Sequence, residues 1–158
     1  MTAPKDRRVQ QQIVSGNIWK VEFHDEFKSE FDLFSKPVRI ELAARIIRLQ
    51  QVGPQLGRPA VDTLKGSHFA NMKELRFDAD GGVWRVAFAF DPERRAIFLV
   101  GGDKAGVAKN RFYRNLIAVA DRRFQQHLDK ELDDGHSVRA DISGILTRGT
   151  VCNSCARG

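Results

Sequence analysis

Residues 74–90, ELRFDADGGVWRVAFAF, contain two runs of alternating apolar and polar or small residues on either side of an Asp-Gly-Gly turn. In the second run, alternate residues point to opposite faces of a strand. One face carries the large apolar residues Trp84, Val86, Phe88 and Phe90, and the other carries Arg85, Ala87 and Ala89. The bulky face predicts contact with helices. The other face predicts a shallow trough, partly open to a ligand, with Arg85 in its floor.

The segments around this hairpin complete one small domain. The run RAIFLVGG adds a third strand after the turn-like DPER, so that an antiparallel meander begins at Met72. Upstream, IWKVEFH alternates like a strand, and DEFKSEFDLF and SKPVRIELAARIIRLQQVG have the spacing of two helices joined by a short link. The intervening PQLGRPAVDTLKGSHFAN predicts a loop.

A last helix begins near Asn110, and its apolar residues recur every four positions as far as Leu132. The order β-α-α-β-β-β-α, with strands packed on helices, predicts the α+β class. We expect a flexible arm over residues 1–16, one domain over residues 17–133 and a flexible tail over residues 134–158, where only short apolar clusters remain.

The excess of basic residues in the composition indicates what kind of partner the protein binds. The 158 residues carry 26 Lys and Arg against 20 Asp and Glu, a formal net charge of +6, which favours an anionic partner such as nucleic acid or an acidic protein. No run resembles a signal peptide or a membrane helix. We therefore expect a cytoplasmic protein without a membrane partner.

The two cysteines, Cys152 and Cys155, lie in a CNSC pair near the end of the chain. A structural zinc site normally needs four ligands, and no second pair exists in this sequence. The sequence therefore predicts neither a metal site nor a cofactor.

Positive residues gather around the predicted trough. A suitable register would place Arg76 beside Arg85. Further cations, with one tyrosine among them, flank these strands: Lys65, His68, Lys104, Lys109, Arg111, Arg114 and Tyr113. Cations interleaved with an aromatic ring suit a single-stranded nucleic acid, by phosphate contact and base stacking. The alternative is that Arg76 and Arg85 pair with Glu74 or Asp78 on a wet sheet face.

Four segments, VDTLKGSHFANMKELRF, GVWRVAFAF, AIFLVGGDK and RFYRNLIAVADRRFQQHL, resemble the RelE/ParE toxin superfamily, in particular its phage-derived HigB-like branch. The resemblance covers roughly residues 17 to 130 and includes the order of the elements. It implies the toxin of a type II toxin–antitoxin system, neutralised by a cognate antitoxin of the helix-turn-helix type.

In RelE-like members the resemblance further implies messenger RNA cleavage on the ribosome, without a metal, by attack of the substrate's own 2′-hydroxyl on the adjacent phosphate. By position, Arg85 matches the strand arginine that contacts the scissile phosphate, Lys104 a basic residue after the last strand, and Tyr113 a late tyrosine. Arg76 and Lys73 complete the implied catalytic set. The MKELR strand offers fewer lysines than the family pattern, so that His68, Lys65 or Glu74 remain alternatives for the base.

Two other outcomes stay open on the same resemblance. ParE-like relatives inhibit DNA gyrase without any chemistry, and an inactive relative would bind only its antitoxin. The joint presence of Arg85, Lys104 and Tyr113 favours the nuclease.

Overall fold

The computed structural model describes the backbone of residues 18–157 and the side chains of residues 18–134. Five strands form one sheet: β1 (Lys20–Phe23), β2 (Val61–Thr63), β3 (Met72–Ala79), β4 (Gly82–Phe90) and β5 (Arg95–Asp103). The helices are α1 (Asp25–Leu33), α2 (Lys36–Val52), followed by a 3-10 turn at Gly53–Gln55, and α3 (Lys109–Arg157). The predicted arm over residues 1–16 lies outside the described residues.

The strands lie in the order β1-β5-β4-β3-β2, and only the β1–β5 pair is parallel. The predicted α+β class, with a small and mainly antiparallel sheet packed on helices, is confirmed. The predicted meander is also confirmed, because β3, β4 and β5 pair in sequence order.

One strand was missed. Residues 61–63 were predicted to belong to a loop, but they pair with β3 at the edge of the sheet. A strand of three residues is too short to show an alternating pattern, so its pairing depends on the neighbouring strand rather than on its own sequence.

The bulky face of the meander was predicted to contact helices, and it packs on α1 and α2. The side chains of Val86, Phe88 and Phe98 share one core cluster with Phe27 of α1 and with Leu42 of α2. Phe88 stacks on Phe98 with ring centroids 5.1 Å apart. This layer fixes the orientation of the sheet, and therefore which residues of β3 and β4 point to the other face.

Gly53 ends α2 in a conformation that favours glycine. Its φ is +71°, and a Cβ there would collide with the Trp19 ring. The backbone amide of Trp19 also donates to the Gln50 carbonyl over 3.0 Å. The end of α2 is therefore held against the residues that lead into β1.

The opposite face of the sheet is not open. Ala87 and Ala89 are fully buried, and so are Ile97 and Leu99 of β5. A Cβ on Gly102 would lie 3.2 Å from the Phe112 ring, which shows that the first turns of α3 lie on this face. The prediction of a partly open trough is wrong, because the small alanines make room for a helix instead of a ligand.

The chain divides into two compact units, one ending at Phe124 and one beginning at Gln125. Helical backbone continues to Arg157, so that the predicted helix end near residue 132 is wrong. A glycine inside a helix costs only about 1 kcal/mol, and Gly135 is not sufficient to stop it. In the second unit the Leu132 side chain is exposed. The predicted domain limits and the flexibility of residues 134–158 stay predictions.

Among the described residues, no helix is long and apolar enough to cross a membrane.

Candidate functional site

The site is built on the register of the central hairpin. Arg76 of β3 lies directly opposite Arg85 of β4, and Glu74 lies opposite Ala87. Since side chains alternate along a strand, these residues point to the face that α3 covers. The predicted pairing of the two arginines is confirmed.

Arg85 is buried, with 7% of its surface exposed. One of its terminal nitrogens donates to the Trp84 carbonyl over 2.8 Å, whereas its Nε has no hydrogen-bond partner among the described residues. Arg85 was expected in the floor of a partly open trough, and this expectation is wrong because α3 covers the side chain. Arg85 therefore places a buried positive charge in a polar cluster that also contains Glu74, Arg76 and Tyr113.

Glu74 and Tyr113 form the polar centre of this cluster. The Tyr113 hydroxyl donates to Glu74 Oε1 over 3.5 Å, and Glu74 Oε2 is buried without a hydrogen-bond partner among the described residues. Burial raises the pKa of the Glu74 carboxyl, against the smaller opposing effects of Tyr113, Arg76 and Arg85. Burial is also the largest cause that raises the pKa of the Tyr113 hydroxyl. A buried carboxyl with a raised pKa is suited to accept and return a proton.

Arg76 is the accessible arginine of the pair. Its side chain is 32% exposed, and one terminal nitrogen lies 3.6 Å from Glu74 Oε1 and 3.5 Å from Asp62 Oδ2. Asp62 is in turn held by Arg58 at 2.6 Å, and this hydrogen bond lowers the pKa of the Asp62 carboxyl. Asp62 was not predicted, since it lies on the short strand that the sequence did not reveal.

The predicted loop residues Lys65 and His68 are exposed. Asp121 of α3 anchors this loop by accepting from the Ser67 hydroxyl and from the His68 amide, the latter over 3.0 Å. The structure thus brings the loop to the helix that carries Tyr113. It records no contact of the Lys65 or His68 side chains with Glu74.

The remaining predicted cations surround the start of α3. Lys104 follows β5, and its amide donates to the Val83 carbonyl over 2.8 Å. Arg85 lies opposite Gly102, two positions before Lys104, so that both are at the same end of the sheet. Three further cations are exposed in the first turns of the helix: Lys109, Arg111 and Arg114.

Lys73 is not part of this arrangement. It lies opposite Phe88, on the face of the sheet that packs on α1 and α2, and its Nζ donates to Thr63 Oγ1 over 3.3 Å. The structure therefore does not bring Lys73 to Arg85 or Tyr113.

Arg123 is a buried residue that sequence reasoning missed. Its guanidinium is bound by Glu26 and Glu30 of α1, the Glu26 contact being 2.9 Å, and it donates to the Leu99 carbonyl over 2.7 Å. The Glu26 and Glu30 spacing of four residues indicates a shared helix face, but nothing in the sequence shows which cation meets it. Arg123 fixes α3 against β5 and α1, and so fixes the position of Tyr113 three turns earlier.

Within the described residues there is no group of three or more His, Cys, Asp or Glu that could hold a metal ion. The side chains of Cys152 and Cys155 lie outside this part of the chain. The functional groups of the Glu74–Tyr113 cluster are a carboxyl, a phenol and two guanidinium groups.

Comparison with known proteins identifies the family. A family model described as phage-derived protein Gp49-like (DUF891) matches residues 29–125. The protein named toxin HigB3 of Mycobacterium tuberculosis is 45% identical over 105 residues, which are 66% of this chain and 90% of that protein. The protein named toxin HigB2 of the same organism is 48% identical over 86 residues, 54% of this chain and 42% of that protein.

Among solved structures, a double arginine-to-alanine mutant of the E. coli toxin RelE in the free state matches with a TM-score of 0.48 and 11% identity, over 64% of this chain and 95% of that chain. The family model and the HigB relatives confirm the predicted HigB-like branch. The chain belongs to the phage-derived Gp49-like family and is a HigB-type toxin of a type II toxin–antitoxin system, in which a cognate antitoxin is its partner.

Proposed function

We propose that this toxin is a ribosome-dependent endonuclease that cuts messenger RNA without a metal. The observation that carries the proposal is the cluster in which Arg76 faces Arg85 beside Glu74, with the Tyr113 hydroxyl 3.5 Å from the Glu74 carboxylate. It combines positive charge for a phosphate with a group that can exchange a proton.

The reaction requires three tasks. The 2′-oxygen must lose its proton as it bonds to phosphorus, the phosphorane must be stabilised, and the departing 5′-oxygen must gain a proton as its bond to phosphorus breaks. Arg76, which is accessible, contacts the phosphate. Arg85, which is buried opposite Arg76, adds positive charge that stabilises the phosphorane. Glu74 takes the proton of the 2′-hydroxyl through the Tyr113 hydroxyl and returns it by the same route to the departing 5′-oxygen, because the carboxyl itself is buried and Tyr113 is only half-buried.

The surrounding cations support binding to ribosomal and messenger RNA. The side chains of Lys65, Lys109, Arg111 and Arg114 are exposed, and the whole chain carries a formal net charge of +6. Such charges bind phosphates with little dependence on sequence. In this proposal the ribosome supplies the substrate in its decoding site, so that the toxin acts in the cytoplasm, and its antitoxin is of the helix-turn-helix type.

The test uses toxin made without antitoxin, with messenger RNA cleavage on translating ribosomes and gyrase supercoiling followed in parallel. Arg76→Ala and Tyr113→Phe should each slow cleavage by about a hundredfold or more, as for loss of a group aimed at developing charge. Arg39→Ala, at an exposed arginine of α2, is the matched control and should cut like the parent.

Either of two results would overturn the proposal. Cleavage by Arg76→Ala at the parent rate would remove the cluster from the reaction. Inhibition of supercoiling by a parent that never cuts RNA would replace the nuclease with a gyrase inhibitor.

A further inference from the structure

Asp62 of β2 lies directly opposite Glu74 of β3 in the register of the sheet. Directly opposite residues point to the same face, so the two carboxylates are neighbours on the face that carries the Glu74–Tyr113 cluster. Like charges in this arrangement repel each other. A cation that contacts both carboxylates reduces the repulsion, and Arg76 is in a position to do so.

Arg76 is shared between these two carboxylates. One terminal nitrogen of its guanidinium lies 3.5 Å from Asp62 Oδ2, and the same nitrogen lies 3.6 Å from Glu74 Oε1. Both distances exceed the roughly 2.7–2.9 Å of a close charge-assisted hydrogen bond, so neither carboxylate holds the guanidinium alone. Any change that weakens one contact therefore allows Arg76 to move towards the other carboxylate.

The Asp62 carboxylate is itself fixed in position. The Thr63 amide donates to Asp62 Oδ1 over 2.8 Å, and Arg58 donates to Asp62 Oδ2 from Nε over 2.9 Å and from a terminal nitrogen over 2.6 Å. Arg58 and Arg76 therefore compete for the same oxygen atom. The closer contact of Arg58 limits how strongly Asp62 attracts Arg76.

We propose that Asp62 is a positioning residue that shares the Arg76 guanidinium with Glu74, and so keeps Arg76 free to contact a substrate phosphate. The catalytic consequence of this inference rests on the proposed nuclease function. Without the negative charge of Asp62, Arg76 would form a closer pair with Glu74 alone. The guanidinium would then have to leave that pair before it could contact a phosphate.

The titratable and charged groups that act on Glu74 come from four elements: Asp62 of β2, Arg76 of β3, Arg85 of β4 and Tyr113 of α3. Burial is the largest cause that raises the pKa of Glu74, the phenol and the two arginines lower it, and the charge of Asp62 raises it. Removal of the Asp62 charge should therefore lower the pKa of Glu74, both directly and through a closer contact with Arg76.

The test measures the pKa of Glu74 in the purified full-length toxin, by NMR of labelled glutamate carboxyl carbons over a range of pH. Asp62→Asn, which keeps the size of the side chain, should lower this pKa. Arg58→Gln should raise it, because Asp62 then attracts Arg76 more strongly. Asp32→Asn, at an exposed carboxylate of α1, is the control and should leave the pKa of Glu74 unchanged.

A double-mutant cycle separates positioning from direct repulsion between the carboxylates. If Asp62 acts through Arg76, Asp62→Asn should shift the pKa of Glu74 much less in an Arg76→Ala background than in the parent. An equal shift in both backgrounds would mean that only direct repulsion operates, and it would overturn the positioning role. The absence of a shift in either background would overturn it as well.

Cleavage of messenger RNA on translating ribosomes is the second readout. Asp62→Asn should slow cleavage at neutral pH by about tenfold or more, as for a displaced catalytic group. The acid limb of its pH–rate profile should move to lower pH, because a lower pKa keeps Glu74 ionised as a base. A parental rate and profile in Asp62→Asn would contradict the inference. A parent that cuts no RNA would overturn the nuclease proposal, whereas the titrations would still decide whether Asp62 positions Arg76.

Discussion

Arg76 and Arg85 face each other across the β3–β4 pair, but they meet different environments. The Arg76 side chain is 32% exposed, whereas Arg85 is 7% exposed and lies under α3. The two arginines of this cross-strand pair should therefore affect ligand binding and stability differently. Arg76 can contact a ligand directly, and Arg85 supports the buried Glu74 carboxylate.

Arg85→Ala should lower the free energy of unfolding by about 1 to 3 kcal/mol, because it removes a buried charged donor beside Glu74. Arg76→Ala should lower it by no more than about 1 kcal/mol, since its ion pairs are partly exposed. Urea denaturation of both variants measures the difference. Equal losses would contradict the distinction between a buried and an accessible arginine.

Glu74→Gln should change how stability depends on pH. Burial raises the pKa of Glu74 in the folded state, so that its protonated form is favoured there. The stabilisation is complete below the ordinary glutamate value of about 4.3 and is lost as the pH rises through the raised folded value. As the pH rises through this range, the thermal midpoint of Glu74→Gln should therefore fall less steeply than that of the parent. A parallel pair of profiles would show that the carboxyl is not desolvated; Glu93→Gln, at an exposed site, controls for the loss of one carboxylate.

Phe124→Ala should cost about 3 to 5 kcal/mol of stability, as for a buried aromatic. Phe124 is 2% exposed and meets the Phe69 ring edge-to-face at 4.9 Å. Leu132→Ala, at a position 70% exposed in the same helix, should change stability by less than about 0.5 kcal/mol. A Phe124 loss below about 1 kcal/mol would mean that this part of α3 is not core.

Arg123→Ala should destabilise the protein by about 2 to 3 kcal/mol, because it leaves Glu26 and Glu30 without their shared cation and the Leu99 carbonyl without its donor. The exposed neighbour Arg122 offers a matched control, and Arg122→Ala should be nearly neutral. The rate of amide hydrogen exchange in α1 and β5 should rise in Arg123→Ala but not in Arg122→Ala. The same protection in both variants would exclude Arg123 as the anchor of α3.

Features that depend on local periodicity could be predicted from the sequence. Alternation in residues 74–90 predicted the β3–β4 hairpin and a bulky face that packs on helices, and both are confirmed. The opposition of Arg76 and Arg85 depended in addition on the register, which the structure provides. Lys73, which the resemblance put in the catalytic set, lies instead on the opposite face of β3 from Glu74. Period-two geometry is a property of the strand backbone, so neighbours in the chain are enough to reveal it.

The element that covers each face of the sheet could not be predicted from local patterns. Ala87 and Ala89 indicated a small-residue surface, but α3 fills it and buries Arg85. The Arg123 contacts with Glu26 and Glu30 likewise join residues more than 90 positions apart. Burial and ion pairing depend on which distant element packs on a surface, and a local pattern gives the shape of that surface without naming the element that covers it.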